Sequence, residues 1–171
     1  MFERILVAFD GTPPSRNACQ VTLGIAAQFH STVTVATVHP PSKEPTDGHL
    51  ESLVPIDSEG KSLAILIDEL KEEAQRRKIP SLEAVFLQGD VTESLLDFLR
   101  EHPHDLVVTG SRGLSRGRRL LLGSVSSELV DGAPCPVLVV RPGPPQANRA
   151  ANRTAGSRAP SKSAAAPGAP R

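Results

Sequence analysis

Cysteine is nearly missing from this chain: Cys19 and Cys135 are the only two in 171 residues. They form no CxxC pair and join no His/Cys cluster at metal-ligand spacing, which argues against a disulfide scaffold or a structural zinc site. They read instead as buried thiols of a cytosolic protein. Long apolar runs are missing too. None approaches the roughly 20 residues that cross a bilayer, so no membrane association is expected. The opening MFERILVAFD has no basic n-region and enters a strand almost at once, unlike a secretory signal. The expected location is the cytoplasm. Net charge is absent as well, with 19 basic and 19 acidic side chains, so bulk charge points to no nucleic acid or other polyanionic partner. Catalytic signatures are equally scarce: there is no GxSxG elbow, no HExxH and no Walker A loop. The first turn, Asp10-Gly11-Thr12-Pro13-Pro14, is not GxGxxG. Nothing in this inventory demands an enzyme.

What is present is a regular alternation. Residues 5–9 form an apolar run of strand length, of the kind buried on both faces of a parallel sheet. Thr12 followed by Pro13 suits an N-cap with proline at the first helical position. Ala18, Val21, Ile25 and Phe29 then recur at helical spacing. Residues 32–38 are β-rich. Leu63, Ile67, Leu70 and Ala74 mark a second helix, whose charged run at residues 71–78 reads as a solvated face. A third strand is expected at residues 82–87, and Asp90 with Glu93 makes a capping box for a third helix. Leu106-Val107-Val108 is a fourth strand, a short helix starts near Ser124, and residues 137–140 are a fifth strand. Gly132, Pro134 and Pro136 keep that last helix short.

This β-α order implies an α/β fold with a parallel sheet and helices on both faces. With right-handed crossovers and a reversal of winding between strands one and four, the strand order is 3-2-1-4-5. A single domain is expected over residues 1–141. Residues 40–57 carry four prolines and little periodicity, which reads as a long loop. Residues 142–171 contain five basic and no acidic side chains, and no Val, Ile, Leu or aromatic residue. Such a segment cannot bury enough apolar surface to offset its ordering entropy, so a disordered basic tail is expected.

The most informative stretch follows strand four. Gly110 closes the strand, Gly113 lies three residues on, and Gly123-Ser124 opens a helix after nine more. Glycines and a helix start at this spacing can bring backbone N–H groups together on one anion. Arg112, Arg116, Arg118 and Arg119 add positive charge. The stretch reads as a phosphate-binding loop, and the alternative is a plain turn with solubilising arginines. The winding reversal nominates the same place, because it puts the loops after strands one and four on either side of one crevice. Asp10, at the end of strand one, could meet a ribose hydroxyl, an adenine amino group or a metal, or could serve the helix start with Thr12. His102 and His104 precede strand four and so lie at its far end.

On these residues the chain resembles the universal stress protein family, in its ATP-binding branch. Gly110-x2-Gly113-x9-Gly123-Ser124 is similar to that branch's G-x2-G-x9-G-[S/T] motif. ILVAFDGTPPS, with Asp10, Thr12 and Ser15, resembles its first strand and turn, and CPVLVV resembles its last strand. The resemblance implies a Rossmann-like, adenine nucleotide alpha hydrolase-like sheet and a regulatory stress-response role. It implies ATP as cofactor, with Mg or Mn on the phosphates. Gly110, Gly113, Gly123, Ser124, Val125 and Ser126 would hold phosphates and ribose, with Arg112 and Thr109 beside them. Ala8, Phe9, Asp10 and Val38 would border the adenosine. A homodimer through the strand at residues 136–141 is also implied, in keeping with an apolar edge strand. An unidentified protein partner would then read the nucleotide state. Slow ATP hydrolysis or self-phosphorylation at Ser124 or Ser126, or a non-catalytic adaptor role, are the alternatives.

Overall fold

A computed structural model describes residues 1–39, 62–111 and 123–141. The expected loop at residues 40–57, Arg112 and Gly113 of the glycine loop, and the tail at residues 142–171 lie outside the described residues. The described elements alternate as expected: β1 (Arg4–Ala8), α1 (Pro13–Phe29), β2 (Thr32–His39), α2 (Leu63–Arg76), β3 (Ser81–Gln88), α3 (Val91–Glu101), β4 (Leu106–Gly110), α4 (Ser124–Gly132) and β5 (Val137–Val140). The strands form one parallel sheet in the order β3-β2-β1-β4-β5.

The central strands are buried because both their faces are covered. Ile5, Val7, Leu106 and Val108 point into a cluster with α1 and α2, and Leu6 and Val107 into a second cluster with α3 and α4. Alternate side chains of one strand thus feed two cores. The amino ends of β1 and β4 are tied by Asp105, whose Oδ2 accepts the N–H groups of Glu3 and Arg4 at 2.8 Å each. Those two bonds hold its carboxyl below the usual range.

The α1 helix forms where expected but turns only part of the sequence stripe inward: Ala18 is buried and Ile25 packs against the core. Ser15, Ala18, Cys19, Thr22, Leu23 and Ala26 are buried, while Val21 and Phe29 of the sequence stripe are 36% and 45% exposed. The buried stripe is made mostly of small side chains, which let the helix lie close on β1 and β4. Phe29 instead meets Phe2 edge-on, at a centroid distance of 5.7 Å. The thiols also divide: Cys19 is buried as expected, but Cys135 is half-buried.

Candidate functional site

The helices differ at their amino ends. Ser62 caps α2 by accepting from the Ala64 N–H, and Asp90 caps α3 by accepting from Thr92 and Glu93. Neither α1 nor α4 has a side-chain cap. These two helices open on the space beyond the carboxyl ends of β1 and β4. There the described residues enclose a crevice of about 410 Å³, within the range of small-molecule sites.

For α1 the missing cap has a local cause. Thr12 stands at the N-cap position as expected, but its hydroxyl donates to Asp10 Oδ1 at 2.6 Å, and its N–H reaches the same oxygen at 3.1 Å. The turn between Asp10 and Thr12 needs Gly11, whose φ of 77° is left-handed. Pro13 and Pro14 bring no N–H, so the first turn of α1 has few donors left to satisfy. Ser15 Oγ donates to the Thr12 carbonyl at 3.0 Å and lies 3.4 Å from the Asp10 N–H. Beneath the turn, burial and then the Asp10 charge push the Cys19 thiol up to about 12. It is therefore an inert thiol at neutral pH.

For α4 no such replacement is found among the described residues. Gly123 is the N-cap residue, and the first helical bond runs from the Ser127 N–H to the Gly123 carbonyl at 2.9 Å. The N–H groups of Ser124, Val125 and Ser126 precede that bond at the positive end of the helix dipole. Ser126 turns its own hydroxyl to the Gly110 carbonyl at 3.2 Å, tying the helix start to the end of β4.

Gly110 has a second reason to be glycine. A Cβ there would lie 2.6 Å from the backbone carbonyl of Pro14. The close approach of β4 to α1 is thus a packing requirement, separate from any anion.

The third wall is the overhang of β2. Its pairing with β1 ends at Ala8 opposite Ala36, where the Phe9 N–H donates to the Ala36 carbonyl at 2.8 Å. On the other side the Gly89 N–H donates to the His39 carbonyl at 2.9 Å. Main-chain groups alternate along a strand, so the Val38 N–H and C=O point past the end of β1 into the crevice. They form an adjacent donor and acceptor beside an apolar surface made by Ala36, Val38, Val91 and Leu95.

The crevice brings together Ala8, Phe9 and Asp10 from β1 and its turn, Val38 from β2, and Thr109 and Gly110 from β4. Gly123, Ser124, Val125 and Ser126 join them from the start of α4. Pro14, Ala36, Val91 and Leu95 also line it, and the sequence reading did not single them out for the site. A signal was available for α3. Every helix after a strand in a parallel sheet starts at the strands' carboxyl ends, so Val91 and Leu95, on the face of the Asp90-capped turn, had to open on this side. His102 and His104 lie at the opposite end, as expected. His104 Nδ1 meets the His102 carbonyl at 2.6 Å and its Nε2 the Thr34 hydroxyl at 3.0 Å.

Fold and crevice together define a doubly wound α/β protein with a crevice at its topological switch point, where open α/β sheets as a class hold their ligands. The sequence profile of the universal stress protein family matches residues 1–141. A universal stress protein of Thermus aquaticus, encoded in the QAH/OAS sulfhydrylase 3' region, is 35% identical over 143 residues, covering 82% of this chain and all of its own length. Two solved structures share the fold. One is a universal stress protein in complex with cAMP, with a TM-score of 0.62 and 23% identity, over 81% of this chain and 97% of that one. The other is a universal stress protein family protein of Arabidopsis thaliana with AMP bound, with a TM-score of 0.60 and 17% identity, over 86% of this chain and 97% of that one. The chain belongs to the universal stress protein family. Among the described residues no helix is long and apolar enough to cross a membrane.

Proposed function

We propose that this chain binds an adenine nucleotide in the crevice and acts as a dimeric regulatory module of the stress response. The observation that carries the reading is the pairing of two unlike ends in one crevice. The uncapped first turn of α4 offers three N–H groups to a phosphate. The overhanging Val38 offers a donor beside an acceptor, complementary to the ring nitrogen and amino group of adenine, and the apolar wall takes the flat face of the base. The AMP and cAMP bound by the two solved relatives support it. ATP is the proposed physiological ligand. The residues at hand fit the nucleotide, since they supply donors for phosphate and an apolar slot for base. Among the described residues no group of three or more His, Cys, Asp or Glu side chains could hold a metal ion. A Mg or Mn ion would therefore be carried by the phosphates, where it would neutralise their charge.

Regulation would work by linkage. A ligand that prefers one arrangement of the dimer, or of a partner-binding surface, shifts the population toward it. The proposed dimer contact is the open edge of β5, in the strand at residues 136–141.

The test is calorimetric titration of the purified protein with ATP, ADP, AMP and cAMP, alongside Ser124→Pro. Proline is tolerated at the first helical position, and Gly123 already has the extended φ and ψ of −61° and 157° that a residue before proline adopts. The variant removes one N–H and leaves the helix. Saturable binding of an adenylate, weakened about tenfold by Ser124→Pro at unchanged melting temperature, is the expected result. A protein that binds none of the four ligands ends the proposal.

A further inference from the structure

We propose that Arg16 is a positioning residue for this crevice, acting from behind the β1–α1 turn without touching the ligand. The inference rests on the adenine-nucleotide reading of the site. Gly11 is buried, and a buried carbonyl without a partner is costly. Arg16 Nε donates to the Gly11 carbonyl at 2.7 Å, from the first turn of α1. That carbonyl and the Thr12 N–H are the two ends of one planar peptide group. The Thr12 N–H in turn donates to Asp10 Oδ1. One peptide plane is thus held at both ends, by a guanidinium on one side and by the Asp10 carboxylate on the other.

The two sides face different spaces. Asp10 and Thr12 line the crevice. Arg16 lines a separate cavity of about 600 Å³ between α1 and α2, together with Glu69, Glu73 and Arg76. Phe9 is shared by both. Gly11 lacks a Cβ to restrict its rotation, and its left-handed φ makes the plane one of the easier ones in the chain to turn. A planar, always-charged donor suits the task of stopping it. Without that donor the plane rotates, the Thr12 N–H leaves Asp10, and the carboxylate at the wall of the crevice exchanges a two-point hold for the Thr12 hydroxyl, which is less firmly placed once its own backbone turns. Part of the ligand's binding free energy is then spent on ordering the turn.

Arg16→Met keeps the side-chain stem and removes the donor, Arg16→Lys restores one donor, and Arg76→Met is a control from the same cavity. Each is read by calorimetric titration with AMP, by exchange of the Thr12 amide without ligand, and by melting temperature. Arg16→Met should bind AMP about fivefold to tenfold more weakly and exchange its Thr12 amide faster. Arg16→Lys should recover most of both, and Arg76→Met should match the wild type in both. AMP affinity in Arg16→Met equal to that of the wild type, or an unchanged Thr12 amide, overturns the proposal. A purely structural role would lower the melting temperature without the loss of affinity and its rescue by lysine, and that outcome overturns it too. A wild type that binds no AMP removes the nucleotide reading, while the Thr12 amide still reports whether Arg16 holds the turn.

Discussion

His104 is gripped from two sides, and its surroundings make protonation unfavourable. Its Nδ1 must donate to the His102 carbonyl, which leaves Nε2 to accept from Thr34 in the neutral ring. Burial lowers its pKa below the ordinary 6.5, with Arg4 and His102 adding to the effect, while the His102 carbonyl and Asp105 oppose it. Between 6.5 and the lower folded value, the unfolded chain binds a proton that the native state refuses. The stability this group contributes is present above pH 6.5 and is lost as pH falls through the folded pKa. His104→Asn keeps a donor toward His102 and cannot titrate. Urea midpoints measured from pH 7 to pH 5 should fall more steeply for the wild type than for the variant, and parallel curves would refute the assignment. At this scale the sequence was a partial guide. It gave His104 a place away from the crevice but no partner, because Thr34 lies on another strand. It likewise marked Gly110 as a candidate phosphate residue, whereas the contact with Pro14 makes it a packing residue as well.

At the scale of elements, the caps separate structure from function. Asp90 was legible as a cap from its spacing to Glu93, and it accepts from Thr92 and Glu93 at 3.0 Å each. Asp90→Ala should cost about 1 kcal/mol. The measurement is urea unfolding, where the expected change is a lower midpoint with an unchanged slope. Thr12 looked like an equally good cap and is not one, because its hydroxyl is turned toward Asp10, two residues upstream, and Pro14 has no N–H to give it. Capping rules see only the residue and the helix that follows. The same limit explains α1, where the spacing of Val21, Ile25 and Phe29 announced a helix but not its buried stripe. Hydrophobicity selects the largest apolar side chains, whereas a helix crossing the middle of a sheet is placed by its smallest ones.

At the scale of the molecule, the open question is what covers β5. The Val107 N–H donates to the Pro136 carbonyl and the Ser111 N–H to the Val140 carbonyl. The even-numbered residues of β5 therefore face β4, and Val137 and Val139 turn their N–H and C=O groups outward. If a second copy pairs there, Val139→Pro removes an outward donor without touching the bonds to β4. Sedimentation should find a dimer for the wild type and a monomer for the variant, with the melting transition retained. A wild-type monomer at micromolar concentration would end the dimer proposal.

The sequence by itself determined the element order, because apolar periodicity is a property of the chain. Right-handed crossovers with one reversal of winding then led to the strand order, and the glycine motif with its flanking strand patterns to the family. It also determined that the ends of β1 and β4 border the crevice, since this follows from topology. The tertiary structure alone decided how the crevice presents those residues and which others complete its lining. The overhang that bares the Val38 main chain depends on where β1 stops pairing. The apolar wall depends on how α3 lies over β2, and the peptide clamped between Arg16 and Asp10 depends on how α1 leaves its turn. The Gly110-to-Ser124 motif supplies Gly110 and Gly123, but relative strand lengths and the approach of helix to sheet make these two part of one wall of the crevice.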